Sequence, residues 1–161
     1  MRPDTLEGTD ALGRWPGSWN DGGELARWSN AAARARPPLS LWFPARSESV
    51  AQARHSILDY ARPLGRADID DISLAVSEAV GNAVRHAYRV HEPGTIELRA
   101  ELLVPDTLRV DVNDDGDGMS PHPELPGLGL GFSLIGAVTT GLEIECHQPH
   151  GTSLHMRFSL H

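Results

Sequence analysis

The 161-residue sequence is long enough for one domain with a full hydrophobic core, and its net charge of −8 argues against a nucleic-acid-binding surface. It holds no apolar run near the ~20 residues of a membrane-spanning helix and no visible secretory signal, and its single cysteine, Cys146, excludes an intrachain disulfide and favours a reducing cytoplasm. All 14 basic residues are arginine, and the absence of lysine excludes a P-loop and lysine Schiff-base catalysis.

Residues 1–38 differ in composition from the rest of the chain. They are rich in glycine, proline and alanine-arginine runs, and they contain three of the four tryptophans, Trp15, Trp19 and Trp28. Tryptophan is rare in disordered segments. We therefore expect an N-terminal extension over 1–38, partly disordered or docked on the domain or a partner, followed by one domain over 39–161.

The first half of that domain predicts one strand and two helices. Apolar residues alternate over Leu39–Phe43, which is typical of a strand. Ser47 is expected to cap a helix over Glu48–Arg62, and a second helix is expected from Asp68 to about Val90. The second helix carries an apolar face at helical spacing: Ile72, Val76, Ala79, Val80, Ala83, Val84 and Ala87.

The second half predicts a hairpin, a loop, a helix and two more strands. In chain order these are strands 96–102 and 108–112, a loop over 113–131, a helix over 132–140, and strands 142–146 and 154–160. Cys146 falls on the apolar side of its strand and is expected to face inward. The order β-α-α-β-β-α-β-β predicts an α+β fold, a two-layer sandwich with helices on one face of a mixed, mostly antiparallel sheet.

Glu78 and Asn82 lie one turn apart on a flank of the second helix. A carboxylate beside a carboxamide, at the edge of a buried stripe, can act as a base and a metal ligand. Taken alone, the pair is more typical of a solvated helix edge. His86, one turn further on, is compatible with a helix histidine held by hydrogen bonds.

A second group of polar residues, Asp114 to Gly118, follows a predicted strand directly. Its glycines allow a sharp turn and close approach of a ligand, and an aspartate there can accept a hydrogen bond from a base amino group. A plain polar turn is the alternative. A calcium loop is another, because Asp111, Asn113 and Asp115 match EF-hand ligand positions, although His122 stands where that loop needs a glutamate.

Two further glycine segments follow. Gly127, Gly129 and Gly131 precede a predicted helix, whose N-terminus could receive an anion, but a flexible connector would have the same composition. Gly151 and Thr152 open the last strand, where the threonine hydroxyl could reach a phosphate. A zinc site built from cysteine and histidines in 146–155 is disfavoured, because the spacing matches no common finger.

Taken in order, these motifs resemble the ATP-binding domain of the GHKL superfamily. They comprise Glu-x-x-x-Asn with His-Ala-Tyr on a helix, Asp-x-Gly-x-Gly after a hairpin strand, Gly-x-Gly before a helix, and Gly-Thr at the last strand. The compact anti-sigma factor serine/threonine kinases, the RsbW-like group, look most similar, from about Leu39 to the C-terminus. The resemblance implies the Bergerat-type ATP-binding fold.

By that resemblance, the motif residues take roles in binding ATP and Mg²⁺. The implied roles are Glu78 as general base, Asn82 as Mg²⁺ ligand, Asp114 for adenine, Gly116 and Gly118 for the adenine site, Gly127, Gly129 and Gly131 for the phosphates, Thr152 supporting the base or its water, and His86 at the nucleotide-binding helix. These roles suit phosphoryl transfer, which depends on positioning and charge neutralisation.

The resemblance further implies a cytoplasmic regulator that phosphorylates a protein partner. The implied partners are a sigma factor and an anti-sigma-factor antagonist, with no direct nucleic-acid or membrane contact, and the group often forms homodimers. One departure concerns the lid over 119–127, which contains no arginine to face the γ-phosphate. Arg85 and Arg89 are the candidates within the domain. The alternative function is a nucleotide-binding partner-switching module with little or no kinase activity.

Overall fold

The computed structural model of the protein describes residues 36–64, 68–86, 94–103, 106–116, 128–147 and 149–160. These residues contain five strands and three α-helices in the expected order: β1 (Leu39–Pro44), α1 (Ser47–Ala61), α2 (Ile69–His86), β2 (Thr95–Leu103), β3 (Thr107–Asp114), α3 (Leu128–Val138), β4 (Gly141–Cys146) and β5 (Thr152–Ser159). Most of the expected extension over 1–38 lies outside the described residues, so its docking and the domain boundary stay predictions.

The strands form one sheet in the order β1-β2-β3-β5-β4. All four pairings between the described strands are antiparallel. The helix α3 connects β3 to the edge strand β4, and β5 then returns to pair with β3. The predicted α+β two-layer sandwich is therefore confirmed, with a purely antiparallel sheet in the described part.

The core lies between one face of the sheet and the apolar faces of the helices. Strand residues at alternate positions are buried, as their period of two predicts: Ile96, Leu98, Ala100, Leu108, Val110, Val112, Leu154, Met156 and Phe158. Helix residues at three-to-four spacing meet them: Ala53, Ile57, Ile72, Val76, Ala79, Val80, Ala83 and Ile135. The predicted inner face of the second helix is thereby confirmed from Ile72 to Val84, and Ala87 lies outside the described residues.

The two long helices begin differently. The Oδ1 of Asp68 accepts hydrogen bonds from the backbone amides of Asp70 and Asp71 at 3.2 and 3.3 Å, so it caps α2 as expected. The prediction that Ser47 caps α1 is wrong, since Ser47 is already helical and no side chain caps that helix. Instead, the buried hydroxyl of Ser49 donates to the carbonyl of Pro44 at 2.5 Å and ties the first turn to β1.

The other sheet face is polar, and the edge strand is exposed. Asp111 accepts hydrogen bonds from Arg109 and His155 at 3.0 and 2.7 Å on this face. Residues 143–146 of β4 are exposed. Cys146 lies on the helix-side face of the sheet, as predicted, because it pairs with the buried Thr152, but it is exposed at the end of the edge strand. No helix among the described residues has the length and apolarity required to span a bilayer.

Candidate functional site

The polar edge of α2 is set by the helix's apolar stripe, which packs on the sheet. Asn82 follows Ala79 by three residues and precedes Ala83, and it is only 7% exposed. Its Nδ2 has no hydrogen-bond partner in the described part of the chain. An unpaired buried donor costs about 1–3 kcal/mol and is uncommon in a residue that serves stability alone. A solvated helix edge is therefore wrong for Asn82.

Glycine 131 brings α3 against this edge. A β-carbon at residue 131 would lie 3.2 Å from Oε2 of Glu78 and 3.3 Å from Nδ2 of Asn82. Any larger residue here would have to displace both groups by a few tenths of an ångström, so glycine allows the α3 backbone its present close approach. This approach brings the Glu78–Asn82 pair of α2 together with the glycine segment that contains Gly131.

The predicted loop over 113–131 is too long at both ends. Asn113 and Asp114 belong to β3, and α3 begins at Leu128, four residues before the expected helix start. Gly129 and Gly131 are therefore helical, although glycine costs about 1 kcal/mol in a helix interior. The packing of Gly131 against α2 explains why a glycine-rich stretch is helical here. Gly127 lies outside the described residues.

The Arg85 guanidinium completes the group on α2. Its Nη2 donates to the Oδ1 of Asn82 at 3.3 Å and lies 3.8 Å from Oε2 of Glu78. Its Nε donates to the carbonyl of Gly81 at 3.1 Å. The i, i+3 and i, i+4 spacing of one helix face makes these contacts possible. From the sequence, Arg85 is predicted only as a candidate to face the γ-phosphate. Residue spacing does not show that the Arg85 side chain runs back along its own helix toward Gly81 and Asn82.

A second cluster forms where β3 and β5 end. Asp114 and Thr152 are direct cross-strand partners, and Thr152 is buried with no well-directed hydrogen bond to its hydroxyl in the described part. The Oδ1 of Asp114 accepts the backbone amide of Gly116 at 3.0 Å. The amide of Gly151 donates to the Gly116 carbonyl at 2.8 Å. The structure thus brings together Asp114, Gly116 and the Gly151–Thr152 pair of the last-strand motif.

The Asp114 carboxyl is held in a poorly solvated place. Burial raises its pKa, and hydrogen bonds from the backbone amides of Gly116 and Thr152 oppose that rise. A carboxyl kept in contact with backbone donors at the end of a sheet has a fixed direction. It can therefore accept a hydrogen bond from a flat, uncharged ligand group such as an amino substituent on a base.

The two clusters are linked through the fold, because α2 packs against both α3 and β3. The structure places Glu78, Asn82 and Gly131 together, and it places Asp114, Gly116 and Thr152 together. Gly118 lies outside the described residues. His86 is the last residue of α2, and Gly129 lies in the first turn of α3.

The oxygen atoms of Asn82 and Glu78 suit a divalent cation that binds together with a phosphate-bearing ligand. Within the described ranges, no three His, Cys, Asp or Glu side chains gather closely enough to hold a metal ion by themselves. Mg²⁺ normally takes one or two protein oxygens and completes its shell with phosphate and water. The amide oxygen of Asn82, beside the Glu78 carboxylate, fits that arrangement.

The rival metal sites do not match the geometry. Asp111 lies in a strand and pairs with Arg109 and His155, whereas an EF-hand ligand needs a loop between helices. The Oδ1 of Asp115 accepts the backbone amide of Thr95 at 2.8 Å. The Nε2 of His147 is hydrogen-bonded to the hydroxyl of Ser153 at 2.8 Å, so this nitrogen already has a partner within the protein.

Comparison with known proteins agrees with this geometry. A family model described as "Histidine kinase-like ATPase domain" matches residues 43–158. The chain is 29% identical over 132 residues to an anti-sigma F factor of Clostridium botulinum strain Eklund 17B, covering 74% of this chain and 92% of the relative. It is 36% identical over 98 residues to the serine-protein kinase RsbW of Bacillus licheniformis, covering 60% of this chain and 61% of the relative.

A solved structure shares the fold. The histidine kinase domain of the Erythrobacter litoralis EL346 blue-light activated histidine kinase superposes with a TM-score of 0.52 at 24% identity, over 73% of this chain and 62% of that domain. The family match spans most of the described sheet and helices. This chain therefore belongs to the histidine kinase-like ATPase domain family, the GHKL group that its ordered motifs predicted.

Proposed function

We propose that this protein is an ATP-binding regulator of the anti-sigma-factor type that phosphorylates a serine or threonine of an antagonist protein. The contact of Gly131 with both Glu78 and Asn82 carries the proposal. It places a carboxylate, an amide oxygen and the first turn of a helix within one small volume. Phosphoryl transfer needs a base, a metal ligand and an anion-binding backbone in that relationship.

The adenine of ATP is assigned to the sheet end. The Asp114 carboxylate would accept the exocyclic amino hydrogen bond, and Gly116 would leave room for the ring. Thr152, buried beside Asp114, supports that carboxyl through its backbone amide. The low exposure of this end strengthens a hydrogen bond that water would otherwise compete for.

The triphosphate is assigned to the junction of α2 and α3. Asn82 would hold Mg²⁺ through its Oδ1, and the bound ion would neutralise phosphate charge. The early amides of α3, around Gly129 and Gly131, would face the phosphates, together with Gly127 and Gly118 on the connecting segment. A helix N-terminus favours such anions.

Glu78 is assigned as the general base. Its carboxylate would take the proton of the partner's serine or threonine hydroxyl as that oxygen bonds to the γ-phosphorus. The bond from the γ-phosphorus to the bridging oxygen breaks, and ADP leaves. The Glu78 side chain is 31% exposed, so an incoming hydroxyl can reach it from solvent.

The protein partners proposed are a sigma factor and its antagonist, since curated relatives carry the name anti-sigma F factor and one is named a serine-protein kinase. A cytoplasmic location and a homodimer complete the proposal. Size-exclusion chromatography with light scattering would give the oligomeric state, and the same run with a sigma factor of the same genome would show complex formation.

Two measurements on the full chain test the proposal. Calorimetric titration with ADP and Mg²⁺ should show binding at one site. Radiolabelled γ-phosphate should then pass from ATP to a candidate antagonist, and Glu78→Gln should slow transfer by roughly 10²–10⁴-fold while ADP affinity stays within about threefold. Glu48→Gln, an exposed site on α1, is the matched control and should transfer at the wild-type rate.

The outcomes separate the parts of the proposal. Failure of the wild type to bind any adenine nucleotide would sink it entirely. Equal labelling by wild type and Glu78→Gln would remove Glu78 as the base.

Nucleotide binding without any transfer would favour the second candidate, a partner-switching module with little or no kinase activity. That candidate is motivated by the absence of arginine from the sequence of 119–127, where a cation would face the γ-phosphate. Partner binding that depends on ADP or ATP and survives Glu78→Gln would support it.

A further inference from the structure

The Arg85 guanidinium lies against both polar side chains of the candidate site on α2. Its Nη2 lies 3.3 Å from the Oδ1 of Asn82, the one oxygen of that side chain that a cation could take. The same nitrogen lies 3.8 Å from Oε2 of Glu78. One positively charged group therefore contacts both the proposed metal ligand and the proposed base.

The backbone fixes this arrangement. The Arg85 Nε donates to the carbonyl of Gly81 at 3.1 Å, which anchors the guanidinium along the helix. A β-carbon at residue 81 would lie 3.4 Å from the Arg85 Nη2, so the guanidinium lies close against this turn of the helix. The planar fork can then donate in two directions at once.

We propose that Arg85 is a built-in competitor of Mg²⁺, a positioning residue that holds the Asn82 oxygen in the nucleotide-free protein and must release it when the metal-nucleotide complex binds. The inference rests on the proposed function of this site. An oxygen that accepts a hydrogen bond from a guanidinium cannot use the same lone pair to coordinate a small hard cation. Two positive charges at one oxygen also repel each other.

The contact of Arg85 with the Asn82 oxygen is weak enough for Mg²⁺ to replace it reversibly. The Arg85 side chain is 62% exposed, so its contacts with Asn82 and Glu78 are screened by water and weak. Release therefore requires only rotation of the guanidinium toward solvent or toward the incoming phosphates. The consequence is a site that resists free Mg²⁺ and accepts it together with the nucleotide.

The test is the coupling between Mg²⁺ and ADP. The dissociation constant of ADP is measured by calorimetry in EDTA and in saturating Mg²⁺, and the ratio of the two is compared between variants. Arg85→Met keeps the length of the stem and removes the charge, so the ratio should rise by roughly three- to tenfold, the size of one hydrogen bond of ordinary strength, because solvent weakens the contact. Arg85→Lys keeps the charge without the fork and should fall between Met and wild type.

The controls separate local from general effects. Arg99→Met removes one positive charge from the opposite, polar face of the sheet, where Arg99 pairs with Glu97 at 3.1 Å, and should leave the ratio unchanged. Thermal unfolding monitors the fold of each variant.

An unchanged ratio in Arg85→Met overturns this inference alone. A lower ratio overturns it too, because Arg85 would then assist the bound metal-nucleotide complex instead of opposing it. A wild type that binds no ADP overturns the proposed function and this inference with it.

Discussion

The backbone carbonyl of Asp114 lies against Gly151 in the adjacent turn. A β-carbon at residue 151 would sit 2.8 Å from that oxygen, and Gly151 has a φ of +105°, a conformation that other L-residues rarely adopt. The turn before β5 therefore depends on a glycine for two independent reasons. Because Asp114 is the last residue of β3 and lies at this contact, the turn at Gly151 also fixes the position of the Asp114 carboxyl.

Gly151→Ala is expected to destabilise the protein by about 1–3 kcal/mol, because it adds both backbone strain and a clash with the Asp114 carbonyl. Urea unfolding gives the difference, and nucleotide affinity should fall in parallel. Gly141→Ala is the control, since its β-carbon would meet only the Arg157 side chain at 3.6 Å. Equal stability of the two variants would contradict the strain assigned to residue 151.

Gly131→Ala is expected to weaken nucleotide binding by at least roughly tenfold with little loss of stability. The added β-carbon displaces Glu78 and Asn82 by a few tenths of an ångström, and this displacement costs stability. The cost is offset because alanine stabilises a helix by about 1 kcal/mol relative to glycine. Calorimetric titration with Mg²⁺-ADP and urea unfolding measure the two effects.

Gly136→Ala lies on the same helix with nothing within 4 Å of its β-carbon. It should gain about 0.5–1 kcal/mol and keep wild-type nucleotide affinity. Wild-type affinity in Gly131→Ala would show that the close approach of α3 has no part in the site.

Asn82→Ala is expected to change the free energy of unfolding by less than about 1 kcal/mol. The side chain gives up one long, part-buried hydrogen bond to Arg85, and the loss of the unpaired Nδ2 removes a desolvation cost. Mg²⁺ should no longer strengthen ADP binding in this variant.

The matched control is Asn113→Ala, which removes a hydrogen bond to Glu97 at 3.1 Å on the polar sheet face. It should keep the full effect of Mg²⁺ on ADP affinity. A strongly destabilised Asn82→Ala with normal Mg²⁺ dependence would make Asn82 a structural residue.

The stability of wild type relative to Asp114→Asn should fall as pH rises. Burial raises the pKa of the Asp114 carboxyl, so the folded state holds its proton more tightly than the unfolded chain does. This contribution is complete below the unfolded pKa of about 3.9 and is lost as pH rises through the folded pKa. Urea unfolding of wild type and Asp114→Asn from about pH 4 upward measures how the difference in their free energies of unfolding changes with pH. Asp70→Asn, at an exposed position, gives the baseline. A difference that grows with pH in favour of wild type would refute the prediction.

Much of the fold could be predicted because its elements carry strong periodic patterns. Ile96 and Leu98 alternate on a strand with one buried face, and Val76 and Val80 repeat on a helix that packs on that face. The place of β5 between β3 and β4 could not be predicted from chain order, because nothing local distinguishes an edge strand from its neighbour. The exposure of Cys146 follows from that edge position.

The candidate site was less accessible to sequence reasoning. The residues of the motifs could be named, but the glycines before α3 looked like a loop, since only contact with α2 compensates for helical glycine. The burial of Asn82 and its contact with Arg85 depend on tertiary packing and on side-chain direction. Intrinsic propensity carries no information about either.

The central position of β5 also bears on how the chain folds during synthesis. Of the five described strands, the last in chain order is one that pairs on both sides, with β3 and with β4. Until it is made, β3 has an unpaired edge, and Asp114 has its neighbour on β2, Ile96, but lacks Thr152 on β5. The native sheet therefore forms only after residues 152–159 have emerged, and a nascent chain stalled before them should depend on chaperones to avoid edge-to-edge association.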